Sequence, residues 1–527
     1  MQNLPAILLE SSPVSLNPVT STDLLAILPV LILLGTGAVV LVMDLFQSVP
    51  AGEGETRKPV LHFLSILGAV IAGAQICGAL AAPDTGATSF FRDALRIDKF
   101  SLAMSLLIVL GAAFSLLGAA DTLRRRGLEH GEFHALILFS AASMILFTQS
   151  ASLIMAFLSL ETLSMSVYVL TAYTREEKRS NEGALKYFIL GSLSTGFLLL
   201  GLVFIYGATR STNLVEIEAA LRGGGANLDS PLLLCGLALT LIGLSFKIGA
   251  FPFHSWLPDA YEGALSIVTG FMAVTVKVAS FAVLLRLALL FGSTPSAGTI
   301  GAELHASLTA ALSTLAVLTM VFGNVVALVQ RSLKRMLAYS AIAHTGYLLV
   351  GVITAMEAKR SGLAAGTGAG QAVLFYLFPY ALMTLGAFTC MSYLGRGTED
   401  CESLESYRGL GRQQPVLALG ILLLMISFAG IPPTAGFWGK LLIFRQAIDT
   451  GHWGLALTGI VTSVVSVYYY LSVVVNMYMQ PGGENEPLST EPRTCGKLAI
   501  LLTVGAVAIV GLLPDTFFRL SMAYSLR

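Results

Sequence analysis

About fourteen stretches of mostly apolar residues follow one another along this chain of 527 residues, each long enough to cross a bilayer as a helix of roughly 20 residues. They lie near 23–43, 60–81, 99–120, 133–149, 151–172, 184–206, 231–251, 264–291, 305–328, 335–356, 371–394, 415–431 continuing to 447, 455–478 and 498–514. Only Thr148-Gln-Ser150 divides the fourth from the fifth. In hydrocarbon every backbone N–H and C=O must be satisfied within the span, which leaves helices and closed barrels. Runs of this length, rather than alternating ten-residue segments, predict an all-α integral membrane protein. With 12% charged residues against roughly 25% in a soluble domain, nothing contradicts that.

The polar connections are short. The longest, around 207–230, 395–414 and 479–497, are each about 20 residues, too few for an extramembrane catalytic domain. The glycine-rich stretches Gly223-Gly-Gly225 and Gly366–Gly370 lack the Lys-Ser/Thr of a phosphate loop. Five scattered cysteines without a CxxC, and seven histidines without metal spacing, support no iron–sulfur, haem or zinc site. A net charge of zero argues against nucleic acid as a partner. The first 20 residues have neither a basic start nor an h-region, so the first span is expected to act as its own insertion signal. With fourteen spans and the N-terminus outside, inside connections carry 16 basic residues and outside connections 10, which favours both termini outside.

Of 31 Lys plus Arg, five fall inside the apolar runs: Lys186, Lys247, Lys277, Arg286 and Lys440. A cation at the centre of a span costs roughly 2.5 kcal/mol or more, so such residues are rare and usually functional. Glu161 is the one acid deep in a span. Two spans share a further anomaly. Ser245-Phe-Lys-Ile-Gly-Ala-Phe-Pro-Phe-His-Ser-Trp256 and Ser427-Phe-Ala-Gly-Ile-Pro-Pro-Thr-Ala-Gly-Phe-Trp438 each run Ser-Phe, then glycine and proline, then an aromatic-Trp segment, with Lys247 or Lys440 close to the break. Proline removes a backbone donor and clashes with the preceding turn. Paired interrupted spans at corresponding places point to a transport site built on repeats. Their five-span spacing predicts two five-helix repeats, and an odd number of spans per repeat makes them inverted. The expected division is an N-terminal extension (1–22), three helices (23–120), a first repeat of spans 4–8 (121–291), a second of spans 9–13 (292–478) and a C-terminal span (479–527).

Titratable groups lined up through a membrane are the material of a proton path. Desolvation favours a neutral lysine and a neighbouring carboxylate restores its charge. Lys247 and Glu161 are therefore expected to pair, each stabilising the other's charge, with separation releasing a proton. Lys277 is mid-span, and Lys440 is the counterpart of Lys247. Lys186, near the start of its span, is an access-side candidate that also fits snorkelling to the interface. His254, beside the first break, and His344 are relay candidates that also fit structural hydrogen bonding. Asp259 and Glu262 fit helix-end or surface positions and, less simply, an entrance. Arg286 does not give up its proton, which points to anchoring. Each lysine also admits a purely structural role, holding a broken helix together.

Four motifs resemble one family. Phe246-Lys-Ile-Gly-Ala-Phe-Pro-Phe-His-Ser-Trp-Leu-Pro-Asp-Ala-Tyr-Glu-Gly-Ala264 is similar to the signature of the antiporter-like membrane subunits of respiratory complex I, the NADH-quinone oxidoreductases. Met336 with Ile342-Ala-His-Thr-Gly-Tyr-Leu348 resembles the subunit N branch rather than L or M, and Gly430–Lys440 and Glu182–Ser192 agree. The likeness runs from about residue 90 to 515. It implies that Glu161 and Lys247 form the ion pair of one half-channel, that Lys277 connects along the membrane, and that Lys440 serves a second half-channel. It also implies proton pumping driven by NADH-to-quinone electron transfer elsewhere. NADH, FMN, iron–sulfur clusters and quinone then sit on partner subunits, a neighbouring antiporter-like subunit lies alongside, and the bacterial inner membrane is the site, with both termini periplasmic. Multi-subunit cation/proton antiporters and hydrogenase-linked membrane complexes, which share these helices and lysines, are the alternatives. The chain departs from the pattern at Leu265 and Ile267, where the family has prolines, and at Ala341, where it has serine.

Overall fold

The computed structural model describes residues 20–46, 59–83, 86–223, 231–292, 299–362, 370–395, 400–481 and 493–526. Most of the N-terminal extension, Arg57, Lys58, Gly224, Gly225, Gly366, Arg396 and Arg527 lie outside the described residues.

The helices in chain order are α1 (Ser21–Ala26), α2 (Leu28–Phe46), α3 (Pro59–Ala81), α4 (Lys99–Arg126), α5 (Gly131–Gln149), α6 (Leu153–Thr171), α7 (Lys178–Thr209), α8 (Leu214–Gly223), α9 (Pro231–Ile248), α10 (Trp256–Gly263), α11 (Ser266–Gly292), α12 (Thr299–Ala327), α13 (Leu333–Arg360), α14 (Gln371–Leu394), α15 (Leu410–Gln413), α16 (Pro415–Ala429), α17 (Ala435–Asp449), α18 (Trp453–Tyr478), α19 (Thr494–Leu512) and α20 (Pro514–Ala523). Among the described residues thirteen are long and apolar enough to cross a membrane. The expected twelfth span is present in two pieces, α16 and α17. One element departs from the all-α expectation: a small antiparallel hairpin of β1 (Thr88–Phe90) and β2 (Leu95–Ile97) in the α3–α4 connection. Its turn residues Phe91, Arg92 and Asp93 adopt positive φ.

Hydrogen bonds between connections test the span count, because two connections meet only if an even number of crossings separates them. The Ala151 N–H donates to the Ala94 carbonyl at 2.9 Å and the Leu153 N–H to that of Thr212 at 2.8 Å, joining the second, fourth and sixth connections. At the other end the Leu333 N–H donates to the Glu402 carbonyl at 2.7 Å, joining the ninth and eleventh. The parity holds.

Helices α11, α13 and α14 are buried around almost their whole circumference, whereas α2, α3, α7, α18 and α19 turn large apolar side chains outward. Lys277 and His344 therefore sit on the innermost helices.

Asp400 ties three parts of the bundle together at one end. Its side chain is 1% exposed, and it accepts from Arg125 at 3.1 Å and Arg126 at 3.3 Å, both in the last turn of α4. It also accepts the Ser266 N–H at 3.0 Å, where an anion at the N-terminus of α11 is favoured. This helix starts at Ser266 with Leu265 and Ile267 at the two positions where the resemblance implied prolines. Burial alone raises the Asp400 carboxyl, but Arg126, Lys334 and Ser266 outweigh it and hold it below its ordinary value of 3.8. A depressed folded-state value means that the stabilisation is complete above the unfolded value and lost only as pH falls through the folded one, so it is constant through the neutral range. Asp400→Asn leaves Arg125 without a carboxylate partner among the described residues and Arg126 with Glu177 alone. Removing one partner of a buried pair costs about 3–5 kcal/mol, so the detergent-solubilised complex should inactivate at a visibly lower temperature. An unchanged midpoint would show that the node holds nothing.

Candidate functional site

Each helix break leaves carbonyls that need donors, and the breaks are where two of the lysines stand. After α9, Gly249 takes φ +70 and a Cβ there would lie 2.4 Å from Leu257 Cδ1, so only glycine turns the chain here. The Trp256 indole N–H donates to the Phe246 carbonyl at 3.0 Å, and Thr345 Oγ1 donates to that of Ile248 at 2.7 Å. After α16, Gly430 takes φ +79 beside the Lys440 side chain. There Lys440 Nζ donates to the Phe428 carbonyl at 2.9 Å, the Ala429 carbonyl at 3.0 Å and Ser463 Oγ at 2.8 Å. A cation at these carbonyls also complements the helix dipole. Each break contains one cis X–Pro peptide, Phe251–Pro252 and Pro432–Pro433.

Lys247 is 3% exposed and turned away from its own break. Its Nζ donates to Ser164 Oγ at 2.7 Å and to the Tyr168 hydroxyl at 3.2 Å on α6, with the Tyr168 and Tyr187 rings 5.3 and 5.8 Å away. The expected direct pair with Glu161 is therefore absent. Glu161 lies one turn before Ser164 on the same helix, within electrostatic range of Lys247, and its Oε1 is buried with no hydrogen-bond partner among the described residues. The ammonium has chosen the two hydroxyls further along the polar stripe.

Lys277, also 3% exposed, donates to the Ala341 carbonyl of α13 at 2.6 Å and to the Tyr380 hydroxyl of α14 at 3.3 Å. Ala341 engages Lys277 through its backbone carbonyl, a contact that does not depend on the side chain at this position. One turn on, His344 meets the Tyr376 hydroxyl at 2.5 Å through Nδ1 and the Tyr470 hydroxyl at 3.2 Å through Nε2. Its ring lies 5.2 Å from Tyr380 and 5.7 Å from Tyr347, and Lys440 Nζ lies 5.4 Å from the Tyr347 ring. Lys277, His344 and Lys440 thus belong to one buried polar and aromatic row. Toward Lys247 the row narrows to Thr345, whose hydroxyl lies within reach of both the Ile248 and Ala341 carbonyls. Sequence reasoning missed the hydroxyl partners. Ser164 and Tyr168 follow Glu161 at i+3 and i+7, a helical stripe that was readable.

Two candidates stand apart. His254 stacks on Phe251 at 5.3 Å and meets Phe322 at a tilt at 4.4 Å, with a buried, unpartnered Nδ1 among the described residues. Lys186 is half-exposed and pairs with Glu182 at 2.6 Å and Asp259 at 2.8 Å. Arg335 of α13 joins the same cluster through Asp259 at 3.2 Å and Glu262 at 2.6 Å. Asp259 and Glu262 thus connect α10 to α7 and α13 rather than facing solvent alone. Arg286 is an anchor, as expected: it holds Asp98, the residue capping α4, at 2.8 Å.

Residues 150–466 match the family described as NADH:quinone oxidoreductase/Mrp antiporter, TM. NADH-quinone oxidoreductase subunit N 1 of Herpetosiphon aurantiacus is 40% identical over 488 residues, covering 92% of this chain and 93% of that protein. A chain of respiratory complex I from Thermus thermophilus with bound aureothin superposes with a TM-score of 0.75 at 32% identity, over 94% of this chain and 99% of that one. A chain of the Mrp complex from Dietzia sp. also reaches 0.75, over 96% and 97%, but at 18% identity the likeness is one of fold. The break motifs, the subunit N pattern around His344 and these matches agree: the chain belongs to the subunit N family of NADH-quinone oxidoreductases, within the wider family of antiporter-like membrane subunits.

Proposed function

We propose that Glu161, Lys247, Lys277 and Lys440 carry the protons through this chain, with Lys186, His254 and His344 as accessory groups. Family membership makes the chain an antiporter-like, proton-translocating membrane subunit of NADH-quinone oxidoreductase. The observation that carries the residue assignment is that Lys247, Lys277 and Lys440 are 3%, 3% and 5% exposed and none has a carboxylate at ion-pair distance among the described residues. A lysine serving only as a buried staple is ordinarily neutralised by a carboxylate partner. These three are held by hydroxyls and carbonyls, which accept from an amine as well as from an ammonium, so each site accommodates both protonation states.

In this reading residues 121–291 and 292–478 are inverted repeats, each contributing one broken helix and one lysine beside it. The matched Ser-Phe, Gly, Pro and Trp order at the two breaks supports it. NADH, FMN, iron–sulfur clusters and quinone are assigned to partner subunits, since no connection in this chain exceeds about 20 residues of polar sequence. A neighbouring antiporter-like subunit is assigned as a membrane partner. The bacterial inner membrane is the proposed location, with both termini on the periplasmic side, supported by the excess of basic residues on the other side.

Lys277→Ala tests the assignment at the centre of the row. A positioned proton-transfer group contributes about a hundredfold or more, so NADH-driven proton uptake by inside-out vesicles should fall to roughly a tenth or less while the complex stays assembled. Uptake at the wild-type rate in that variant would remove Lys277 from the path.

A further inference from the structure

At the end of the bundle where the even-numbered connections meet, a cavity of about 310 Å³ lies between β2, α8 and the ends of α11 and α13. Among the described residues four cations line it: Arg96, Arg222, Arg286 and Lys359. Two carboxylates balance part of that charge. Glu218, in the lining, holds Arg222 at 2.6 Å, and Asp98 holds Arg286 at 2.8 Å from behind. Among the described residues, four cations against these two carboxylates leave two positive charges over, on Arg96 and Lys359. Neither has a hydrogen bond or ion pair among the described residues, and the Arg96 Nε is buried without a partner. Lys359 lies within electrostatic range of Arg96 and Arg222 as well as Glu218. Like charges gathered around a cavity repel unless an anion sits between them.

We propose that this cavity binds the phosphate of an anionic phospholipid headgroup. The arginine fork matches phosphate oxygens, and Lys359 adds a point charge. Free phosphate shares this chemistry, and what favours a lipid is the place of the cavity at the ends of membrane-length helices. Lys359 stands in the last turn of α13, at the end of a membrane-length helix. Apolar side chains share the lining with the cations, among them Val215, which is 48% exposed, and Leu526. A charged recess at helix ends, with Val215 of α8 exposed at its edge, fits the level of the lipid headgroups. None of these residues belongs to the proposed proton path.

The test uses the whole complex, delipidated in detergent and titrated with phosphatidylglycerol, phosphatidylcholine or inorganic phosphate. The wild type and the charge-keeping R96K/K359R variant should fill a phosphatidylglycerol site that R96Q/K359Q binds roughly ten- to thirtyfold more weakly, the size expected for two lost basic contacts to an anionic lipid. Phosphatidylcholine should not fill it, and millimolar inorganic phosphate should not displace the lipid. NADH oxidation by both variants should match the wild type, which checks that the complex is intact. Equal phosphatidylglycerol binding by R96Q/K359Q and the wild type overturns the proposal. Displacement by inorganic phosphate overturns it too, leaving a site for the free ion.

Discussion

Lys440→Arg is expected to leave the complex assembled and stop it pumping. Lys440 does two things at once in this structure. It donates to the last carbonyls of α16 and to Ser463, and it ends the row that begins at Lys277. Alanine removes both roles. Leaving buried carbonyls unsatisfied costs about 1–3 kcal/mol each, so a failure of Lys440→Ala to pump has two explanations. Arginine separates them, because it keeps a cation and its donors at the break but does not release a proton near neutral pH. Gly430, with no Cβ, leaves room beside the side chain. Proton uptake per quinone reduced, measured in inside-out vesicles, should fall about tenfold or more in both variants. Thermal stability should fall only in the alanine variant. If the arginine variant pumps like the wild type, Lys440 is a staple for the break and the second half of the relay must be sought elsewhere.

The breaks were legible because glycine and proline act locally: Gly249 and Gly430 both take positive φ where the motif placed a turn. The thirteen long helices were legible because length and apolarity alone define a span. Which helices lie at the centre was not. In a helix that is apolar all round, hydrophobic periodicity carries no direction, so nothing in α11, α13 or α14 announced that they are enclosed. The partners of the relay groups were hidden for another reason. Tyr470 reaches His344 across 126 residues, and Asp98 reaches Arg286 across 188. Such pairings depend on how helices pack, which no local pattern records. The Glu161–Lys247 expectation failed by one helical turn. Charge complementarity named the partner, and the neighbouring hydroxyls of Ser164 and Tyr168 took the ammonium instead.

That one-turn offset makes Glu161→Gln the sharper of the two large tests. Lys247 has two sets of acceptors on α6: the Ser164 and Tyr168 hydroxyls it now contacts, and the Glu161 carboxylate one turn away with a free buried oxygen. Moving between them calls for a side-chain rotation rather than a domain motion. With the carboxylate, the lysine's charge is compensated; with the hydroxyls, it is held without a counter-charge. The first position favours taking a proton and the second favours giving it up. Glutamine keeps the shape and polarity of Glu161 but removes the attraction, so Lys247 should stay with the hydroxyls. Proton uptake should then fall to roughly a tenth or less, while assembly and the structure around the break are retained. Tyr168→Phe attacks the other position and should weaken uptake less, since Ser164 still accepts at 2.7 Å. Full uptake with glutamine at 161 would mean that Lys247 cycles without a counter-charge, and the two-position switch would have to be abandoned.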